Sequence, residues 1–147
     1  MKAFLDTSVL IASFYDDHEG HRQSAELLVR FPKSEAACSA HSLLEVYSSL
    51  TGMPGNRRVS PDEAMLFLAD IRERLTIVAL TENDYEELLE SSATVRVTGG
   101  AIYDSQIAHC AQKVKADTLY TWDLGDFQRV APKSLRVARP PNPEQAG

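Results

Sequence analysis

The sequence predicts an α/β fold, specifically a three-layer α/β/α sandwich with a mainly parallel central sheet. Short apolar segments with strand character alternate with longer segments whose apolar residues recur at helical spacing, and short loops join them. Repeated β and α segments of this kind form a parallel sheet that is covered by helices. The 147 residues fit one domain. We therefore predict a single domain over residues 1–147, with about residues 140–147 as a flexible, proline-rich tail.

The first strand-like segment ends at an acid. Residues 3–5 are apolar and lead directly to Asp6, which Thr7 and Ser8 follow. In open α/β sheets, the carboxyl ends of the strands are where ligands bind. The apolar residues 9–12 predict a helix with Thr7 or Ser8 as its N-cap. A second interpretation stays open, namely that Asp6 only caps this helix, because Asp is itself a favoured N-cap residue.

Turn residues and helical periodicity divide the rest of the chain. We predict helices over residues 20–31, 42–50, 60–75, 81–89 and 101–114, strands over residues 35–39, 76–80 and 118–121, and an extended segment at residues 135–137. Ser60 and Pro61 suit the N-cap and the first position of their helix. The Gly and Pro content of residues 52–58 predicts a loop.

Three further acids occupy positions that favour a shared site. Glu45 is the one acid inside the predicted helix 42–50 and has apolar neighbours, which places it in a protected position. Asp104 lies near the N-terminus of its helix, where the helix dipole favours an anion. The strand 118–121 leads to Asp123, as the first strand leads to Asp6. Because parallel strands end at a common edge of the sheet, we expect Asp6 and Asp123 to meet there.

Charge and cysteine content limit the classes of protein. The net charge of −6 disfavours binding of nucleic acid through the overall field. The loop residues Arg57 and Arg58 and the basic segment after residue 128 are the candidates for contact with a polyanion. No apolar run approaches the roughly 20 residues of a membrane helix, and the N-terminus lacks a secretory-signal pattern. Cys38 and Cys110 lie far apart without a Cys-x-x-Cys motif, so we expect free thiols and a cytoplasmic protein.

The acids and their neighbours resemble a known family. They occur in the order Asp6-Thr7-Ser8, Glu45 in an apolar helix, Asp104 at the start of a later helix, and Thr121-Trp122-Asp123 followed by Asp126-Phe127. This ordered set resembles the PIN-domain ribonucleases and, in length and loop content, the VapC toxins of toxin–antitoxin pairs. The similarity extends from Asp6 to the extended segment at residues 135–137. Trp122 departs from the polar or basic residue more usual at that position, which leaves any substrate contact there in doubt.

The resemblance implies a site and its cofactor. Asp6, Glu45, Asp104 and Asp123 would be the catalytic, metal-binding acids, Asp126 a possible fifth ligand, and Thr7, Ser8 and Thr121 the supporting hydroxyls. Several converging acids repel one another unless a divalent cation lies among them. Mg²⁺, or Mn²⁺ in its place, prefers oxygen ligands and suits phosphate substrates. We therefore expect a Mg²⁺-dependent endoribonuclease that cleaves single-stranded or loop RNA.

Histidine does not contribute to this predicted site. The His18-Glu19-Gly20-His21 run has its histidines three residues apart, whereas the metalloprotease helix needs them four apart with Glu next to the first. We expect His41 and His109 to be structural residues. Without a His or Cys ligand, zinc is disfavoured.

Other functions fit parts of the pattern. A haloacid-dehalogenase-like phosphatase also begins with a strand that ends in Asp, but its second Asp is replaced here by Ser8. A receiver-like phosphoacceptor domain would need an N-terminal acid pair and a late Lys that the chain lacks. A catalytically silent PIN-like module for RNA binding or scaffolding is the third alternative, and the completeness of the acid set disfavours it.

The resemblance also implies partners, namely an RNA substrate, a second copy of the chain in a homodimer, and a small antitoxin. The predicted helices 42–50 and 60–75 carry more apolar residues than one core face can use, including Tyr47, Met53, Met65, Leu66 and Phe67. We expect an amphipathic helix of the antitoxin to cover this surface, with an Arg or Lys that reaches the acids and competes with the metal. Arg57 and Arg58 would then be left for the RNA backbone.

Overall fold

Five parallel strands form the centre of the protein, of which we describe residues 1–144 from a computed structural model. The strands are β1 (Ala3–Leu5), β2 (Ala36–Ser39), β3 (Thr76–Val78), β4 (Thr118–Tyr120) and β5 (Arg136–Ala138). They lie in the order β3-β2-β1-β4-β5, and each neighbouring pair is parallel. This arrangement confirms the predicted α/β fold with a parallel sheet.

Seven α-helices within residues 1–144 surround the sheet. They are α1 (Thr7–Phe14), α2 (His21–Arg30), α3 (Ala40–Gly52), α4 (Pro61–Arg74), α5 (Glu82–Thr94), α6 (Ala101–Lys113) and α7 (Leu124–Val130). Helices α1 to α4 pack on one face of the sheet, whereas α6 and α7 pack on the other and α5 packs against α6. The protein therefore has the three predicted layers.

Alternation along β1 divides the hydrophobic core into two parts. Successive side chains of a strand point to opposite faces of the sheet. Ala3 and Leu5 accordingly join the cluster under α1 to α4, whereas Phe4 joins the cluster under α6 and α7. All three are fully buried. Burial of a side chain such as Phe4 or Leu5 contributes about 1.5–3 kcal/mol, so β1 is anchored from both sides.

Several element boundaries differ from the predictions. Asp6, rather than Thr7 or Ser8, is the N-cap of α1, because its carboxylate accepts a hydrogen bond from the Ser8 backbone N–H. Helix α5 continues to Thr94 instead of ending at residue 89, since residues 90–94 contain no Gly or Pro to stop it. Helix α7 was not predicted. The predicted cap of α4 is confirmed, with Ser60 as N-cap and Pro61 first in the helix.

Both cysteines are buried and free, as expected. Pro140 is buried, and the exposed Glu144 forms an ion pair with Arg22 at 3.4 Å. Residues 145–147 of the predicted flexible tail lie outside the described residues. None of the helices within residues 1–144 is long and apolar enough to span a membrane.

The order of the strands determines where a ligand can bind. From β1 the chain moves outward through β2 and β3, then returns to β4 on the opposite side of β1. A crevice forms outside the carboxyl ends of two such strands, and open α/β proteins bind their ligands there. Asp6 follows β1 and Thr121 follows β4, so both lie at this crevice.

Gly20 provides a test of the packing around α2. A Cβ atom at this position would lie 2.2 Å from Cζ2 of Trp122, whose ring is held by a 2.8 Å hydrogen bond from Nε1 to Oγ of Ser24. We predict that Gly20→Ala destabilises the fold by about 1–3 kcal/mol, the usual cost of overpacking. Urea denaturation monitored by circular dichroism measures the change.

Gly125→Ala is the matched control. Gly125 lies within α7, and a Cβ atom there would meet nothing within 4 Å. This variant should keep or raise the stability, because Ala favours the helix by up to about 1 kcal/mol. Equal stability of Gly20→Ala and wild type would show that the Trp122 ring is not held against Gly20.

Candidate metal centre at the carboxyl edge of the sheet

Asp6 is a buried carboxylate held by two elements. Its side chain is 4% exposed. Oδ2 accepts hydrogen bonds from the hydroxyl of Ser8 at 2.7 Å and from the hydroxyl of Thr121 at 2.8 Å, in addition to the Ser8 backbone N–H. All the hydrogen bonds that the Asp6 carboxylate accepts within residues 1–144 reach Oδ2. The other oxygen, Oδ1, is therefore left for another ligand.

The strand register explains why Thr121 reaches Asp6. Leu5 pairs with Tyr120 across β1 and β4, so the next residues on the two strands are neighbours. The Thr121 hydroxyl also accepts a hydrogen bond from the backbone N–H of Asp123 at 3.0 Å. The Ser8 hydroxyl similarly accepts one from the backbone N–H of Trp122 at 3.1 Å. These two hydroxyls connect the start of α1 to the turn that carries Asp123.

Glu45 lies half-buried on α3, close enough to Asp6 for the two charges to interact. Burial raises its pKa, the His41 imidazole lowers it, and the negative charge of Asp6 raises it again. Within the described residues, its Oε1 atom is buried and has no hydrogen-bond partner, although His41 Nε2 lies 3.5 Å away. An unpaired buried carboxylate oxygen costs free energy unless a ligand or water compensates it.

The remaining acids complete the cluster from the other face of the sheet. Asp104 lies in the first turn of α6, where the helix dipole favours a carboxylate. Asp123 is the N-cap residue of α7, and Asp126 lies in the first turn of that helix. Both are exposed, and Arg129 binds Asp126 at 3.1 Å. Asp126 is thus partly neutralised, whereas no ion pair to Asp104 or Asp123 occurs within residues 1–144.

Burial and mutual repulsion raise the pKa values of acids in this cluster. The pKa of Asp104 rises from 3.8 to about 6, first because of burial and then because of the charges of the four other acids, Asp6, Asp126, Asp123 and Glu45. The pKa of Asp6 is also raised, mainly by burial, although the hydroxyls of Ser8 and Thr121 oppose this shift. The structure therefore brings all five sequence-predicted acids into one electrostatically coupled cluster.

The other predicted residues have identifiable contacts. Thr7 donates a 2.8 Å hydrogen bond to the Ser42 hydroxyl, which joins the start of α1 to α3 beside Glu45. Arg57 binds Asp17 at 3.1 Å and lies over the Tyr15 ring.

Arg58 donates a hydrogen bond to the Met53 carbonyl. Both arginines are exposed but already engaged, so RNA binding by them stays a prediction. Substitution of both arginines by neutral residues should make RNA affinity depend less steeply on salt concentration. An unchanged salt dependence would refute RNA binding by this pair.

Two aromatic neighbours of the acids were not predicted to belong to the site, because His41 was expected to be structural and Tyr103 was not singled out. His41 lies one helical turn before Glu45, and its ring stacks on that of Tyr103, the residue before Asp104. The spacing of four residues between His41 and Glu45 was a usable signal, because residues so spaced share a helix face. The approach of Tyr103 depends on how α3 and α6 meet, which no local pattern records.

A separate group of potential ligands lies away from the cluster. Asp84, Glu87 and His109 are the one group of three or more such side chains within residues 1–144 whose ligand atoms all lie within 4.8 Å of one another. Lys113 already binds Asp84 at 2.6 Å, which lowers the pKa of that carboxyl to about 2. The predicted acids are more widely spaced than this group, and the two locations must be distinguished experimentally.

Comparison with known proteins identifies the family. The model of the PIN domain matches residues 3–133. The chain belongs to the PIN domain family. Ribonuclease VapC40 of Mycobacterium tuberculosis is 39% identical to this PIN domain over 119 residues, which cover 81% of this chain and 84% of that protein. Ribonuclease VapC27 of the same species is 33% identical over 114 residues, covering 77% and 79%.

Solved structures agree with the PIN fold. VapC20 of Mycobacterium tuberculosis, described as a sarcin–ricin loop cleaving toxin, superposes with a TM-score of 0.70 at 22% identity, covering 92% of this chain and 99% of that one. VapBC-1 of nontypeable Haemophilus influenzae has a TM-score of 0.65 at 16% identity, with coverage of 95% and 98%. At these identities the similarity concerns the fold alone.

We predict that Asp104→Asn stabilises the PIN domain when no divalent metal is bound. The pKa of Asp104 is raised to about 6 in the folded chain, so the folded state binds the proton more tightly than the unfolded state. The stability from this proton is present below about pH 4 and is lost as the pH rises through 6. Urea unfolding in a chelator at pH 7.5 should show a gain of about 1 kcal/mol, because partial exposure weakens the effect.

At pH 4 the difference between Asp104→Asn and wild type should vanish, since Asp104 is then protonated. Glu87→Gln, on the separate group, should give no comparable gain at pH 7.5. An Asp104→Asn variant that is less stable than wild type at pH 7.5 would mean that burial and repulsion do not disfavour the charged carboxylate at this position.

Proposed function

We propose that this PIN domain is a metal-dependent endoribonuclease that acts as the toxin of a toxin–antitoxin pair. The main observation in support is the electrostatically coupled cluster of five acids around buried Asp6, at the crevice outside the carboxyl ends of β1 and β4. The relatives named as ribonucleases support the reaction class. The name ribonuclease that these relatives carry also supports RNA as the substrate.

The residues present fit a hard divalent cation. The cluster offers carboxylate oxygens and hydroxyls, which Mg²⁺ and Mn²⁺ prefer. Two of its atoms lack partners in the described structure, namely Oδ1 of Asp6 and the buried Oε1 of Glu45. After burial, the charges of the other four acids raise the pKa of Asp104, and a cation would offset those charges. Asp6, Glu45, Asp104 and Asp123 would hold the ion, with Asp126 as a possible fifth ligand.

When bound, such an ion supplies Lewis-acid stabilisation of the charge on a phosphodiester and an activated water. The protein's own groups prepare the site for this chemistry. Ser8 and Thr121 fix the orientation of the Asp6 carboxylate through Oδ2. Thr7 and Ser42 hold the start of α1 against α3, so that Glu45 stays beside Asp6. The bonds from Thr7 to Ser42 and from Thr121 to Asp6 are buried, which keeps water away from them.

Two alternatives are less well supported. A phosphatase of the haloacid-dehalogenase type needs a second acid where Ser8 stands, and here the Ser8 hydroxyl is used to orient Asp6. A silent scaffold has no physical need for a cluster whose repulsion opposes folding. The reaction of the wild-type protein distinguishes all three.

Cleavage of a fluorescent single-stranded RNA tests the proposal. Wild type should cleave with Mg²⁺ or Mn²⁺ and not with excess chelator. Asp6→Asn should reduce the rate at least about 100-fold, because the site loses the carboxylate at its centre. Glu87→Gln should cleave as wild type does, because it belongs to the separate group of ligands.

Hydrolysis of p-nitrophenyl phosphate without RNA cleavage would favour the phosphatase instead. RNA binding without any cleavage by wild type would favour the silent module. Full activity of Asp6→Asn would place the reaction at another site.

A spare apolar surface supports the antitoxin partner. Leu44 and Tyr47 on α3 are exposed, as are Met65 and Leu66 on α4, and the two helices pack against each other. Phe67 and Met53, which were also predicted to be spare, instead pack partly buried against the core. Several similar structures are toxin–antitoxin complexes. We infer that an amphipathic helix of a small antitoxin covers this surface.

We predict that the double variant Leu44→Lys with Leu66→Lys fails to co-purify with the small antitoxin that the proposal expects, co-expressed from the gene next to that of the chain. Leu66 is 74% exposed and Leu44 is 69% exposed, so the charges should leave the fold intact while they oppose burial by a partner. Val95→Lys, at another exposed apolar position on the end of α5, is the control and should still co-purify. Retention of the antitoxin by the double variant would move the interface elsewhere.

A further inference from the structure

Two aromatic rings lie against each other at the rim of the acid cluster. The centroids of the His41 and Tyr103 rings are 5.5 Å apart, and the ring planes differ by 2°. His41 Nε2 lies 3.5 Å from Oε1 of Glu45, one turn later on α3. Tyr103 immediately precedes Asp104 on α6. The aromatic pair therefore bridges the two helices that supply acids from opposite faces of the sheet.

Packing of the core does not account for Tyr103. Its side chain belongs to neither hydrophobic cluster, and the residue is 55% exposed. Parallel rings at this centroid distance are offset, so His41 covers only part of the tyrosine ring. Contact with His41 orients the ring, and much of its surface remains open beside the acids.

We propose that the His41–Tyr103 pair is a stacking subsite for one unpaired nucleobase of the RNA, next to the phosphate that is cut. The inference rests on the proposed ribonuclease function and specifies how that site holds its substrate. Bases of single-stranded RNA stack on aromatic side chains. Because the Tyr103 ring contacts His41, and His41 Nε2 lies 3.5 Å from Oε1 of Glu45, a base stacked on this pair would lie beside the acids.

Charge explains why stacking suits this protein. The net charge is −6, and the acid cluster itself repels a phosphate backbone. Stacking requires no positive charge, so it adds affinity where the field is unfavourable. The predicted candidates for phosphate contact, Arg57 and Arg58, are held by contacts within the protein. A base in a duplex is already stacked and paired, so this subsite selects loops and single strands.

Binding of two labelled oligonucleotides tests the subsite in an Asp6→Asn background with excess chelator, so that cleavage during the measurement is minimal. One is a short single-stranded RNA, and the other is the same chain with abasic residues. Tyr103→Leu should weaken binding of the RNA about tenfold, within the range for loss of one stacked base. The abasic chain should bind Tyr103→Leu and the parent equally. Tyr103→Phe should bind as the parent does, because the ring is kept.

The salt dependence and a second tyrosine serve as controls. Because Tyr103 is neutral, Tyr103→Leu should lower RNA affinity by the same factor at each salt concentration. Tyr85→Leu should leave RNA binding unchanged. Tyr85 is 47% exposed on α5, whose first turn contacts Lys113 in the last turn of α6 rather than Asp104 in its first turn. Thermal melting verifies that each variant is folded.

Three results would overturn the subsite. They are unchanged RNA binding by Tyr103→Leu, an equal loss of affinity for the abasic chain, and failure of Tyr103→Phe to preserve binding. Failure of the proposed ribonuclease function would give a different result, namely that wild type cleaves no RNA with any divalent cation. Cleavage by wild type together with full RNA affinity of Tyr103→Leu rejects the subsite alone.

Discussion

The buried carboxylate of Asp6 is the constraint on which the site depends. Burial raises its pKa, and the hydroxyls of Ser8 and Thr121 offset part of that cost by donating to one oxygen. The same contacts join β1, the start of α1 and the turn after β4. Asp6 therefore caps a helix and orients an acid cluster at once, and its second oxygen is left for a ligand. A residue needed only as a cap could remain in water.

The sheet order brings the other acids to Asp6. Because β2 and β4 flank β1 on opposite sides, the chain leaves a crevice at the carboxyl ends of β1 and β4. Helix α3 on one face supplies Glu45, and α6 on the other face supplies Asp104. These helices approach each other at that edge, where His41 and Tyr103 stack. The acids repel one another, so the fold stores an electrostatic cost that a bound cation would relieve.

The sequence is sufficient to predict the sheet and the set of acids, but not the contacts that surround those acids. Buried runs that end in Asp6 and Asp123 predict where two strands end, and a parallel sheet requires those ends to share an edge. The sequence left the N-cap of α1 open between Asp6 and its two hydroxyl neighbours, because Asp6, Thr7 and Ser8 are all good caps, and only the tertiary contact with Thr121 decides among them. The stacking of His41 on Tyr103 depends on the meeting of two distant helices. The group at Asp84, Glu87 and His109 likewise depends on the packing of α5 on α6.

The central claim is that the cluster around Asp6 binds a divalent cation. An anomalous-scattering map from crystals grown with Mn²⁺ tests it most directly, because the map locates the ion independently of activity. The account predicts a peak in contact with Oδ1 of Asp6 and with carboxylates of Glu45, Asp104 or Asp123. A peak confined to Asp84, Glu87 and His109, with none at Asp6, would contradict it.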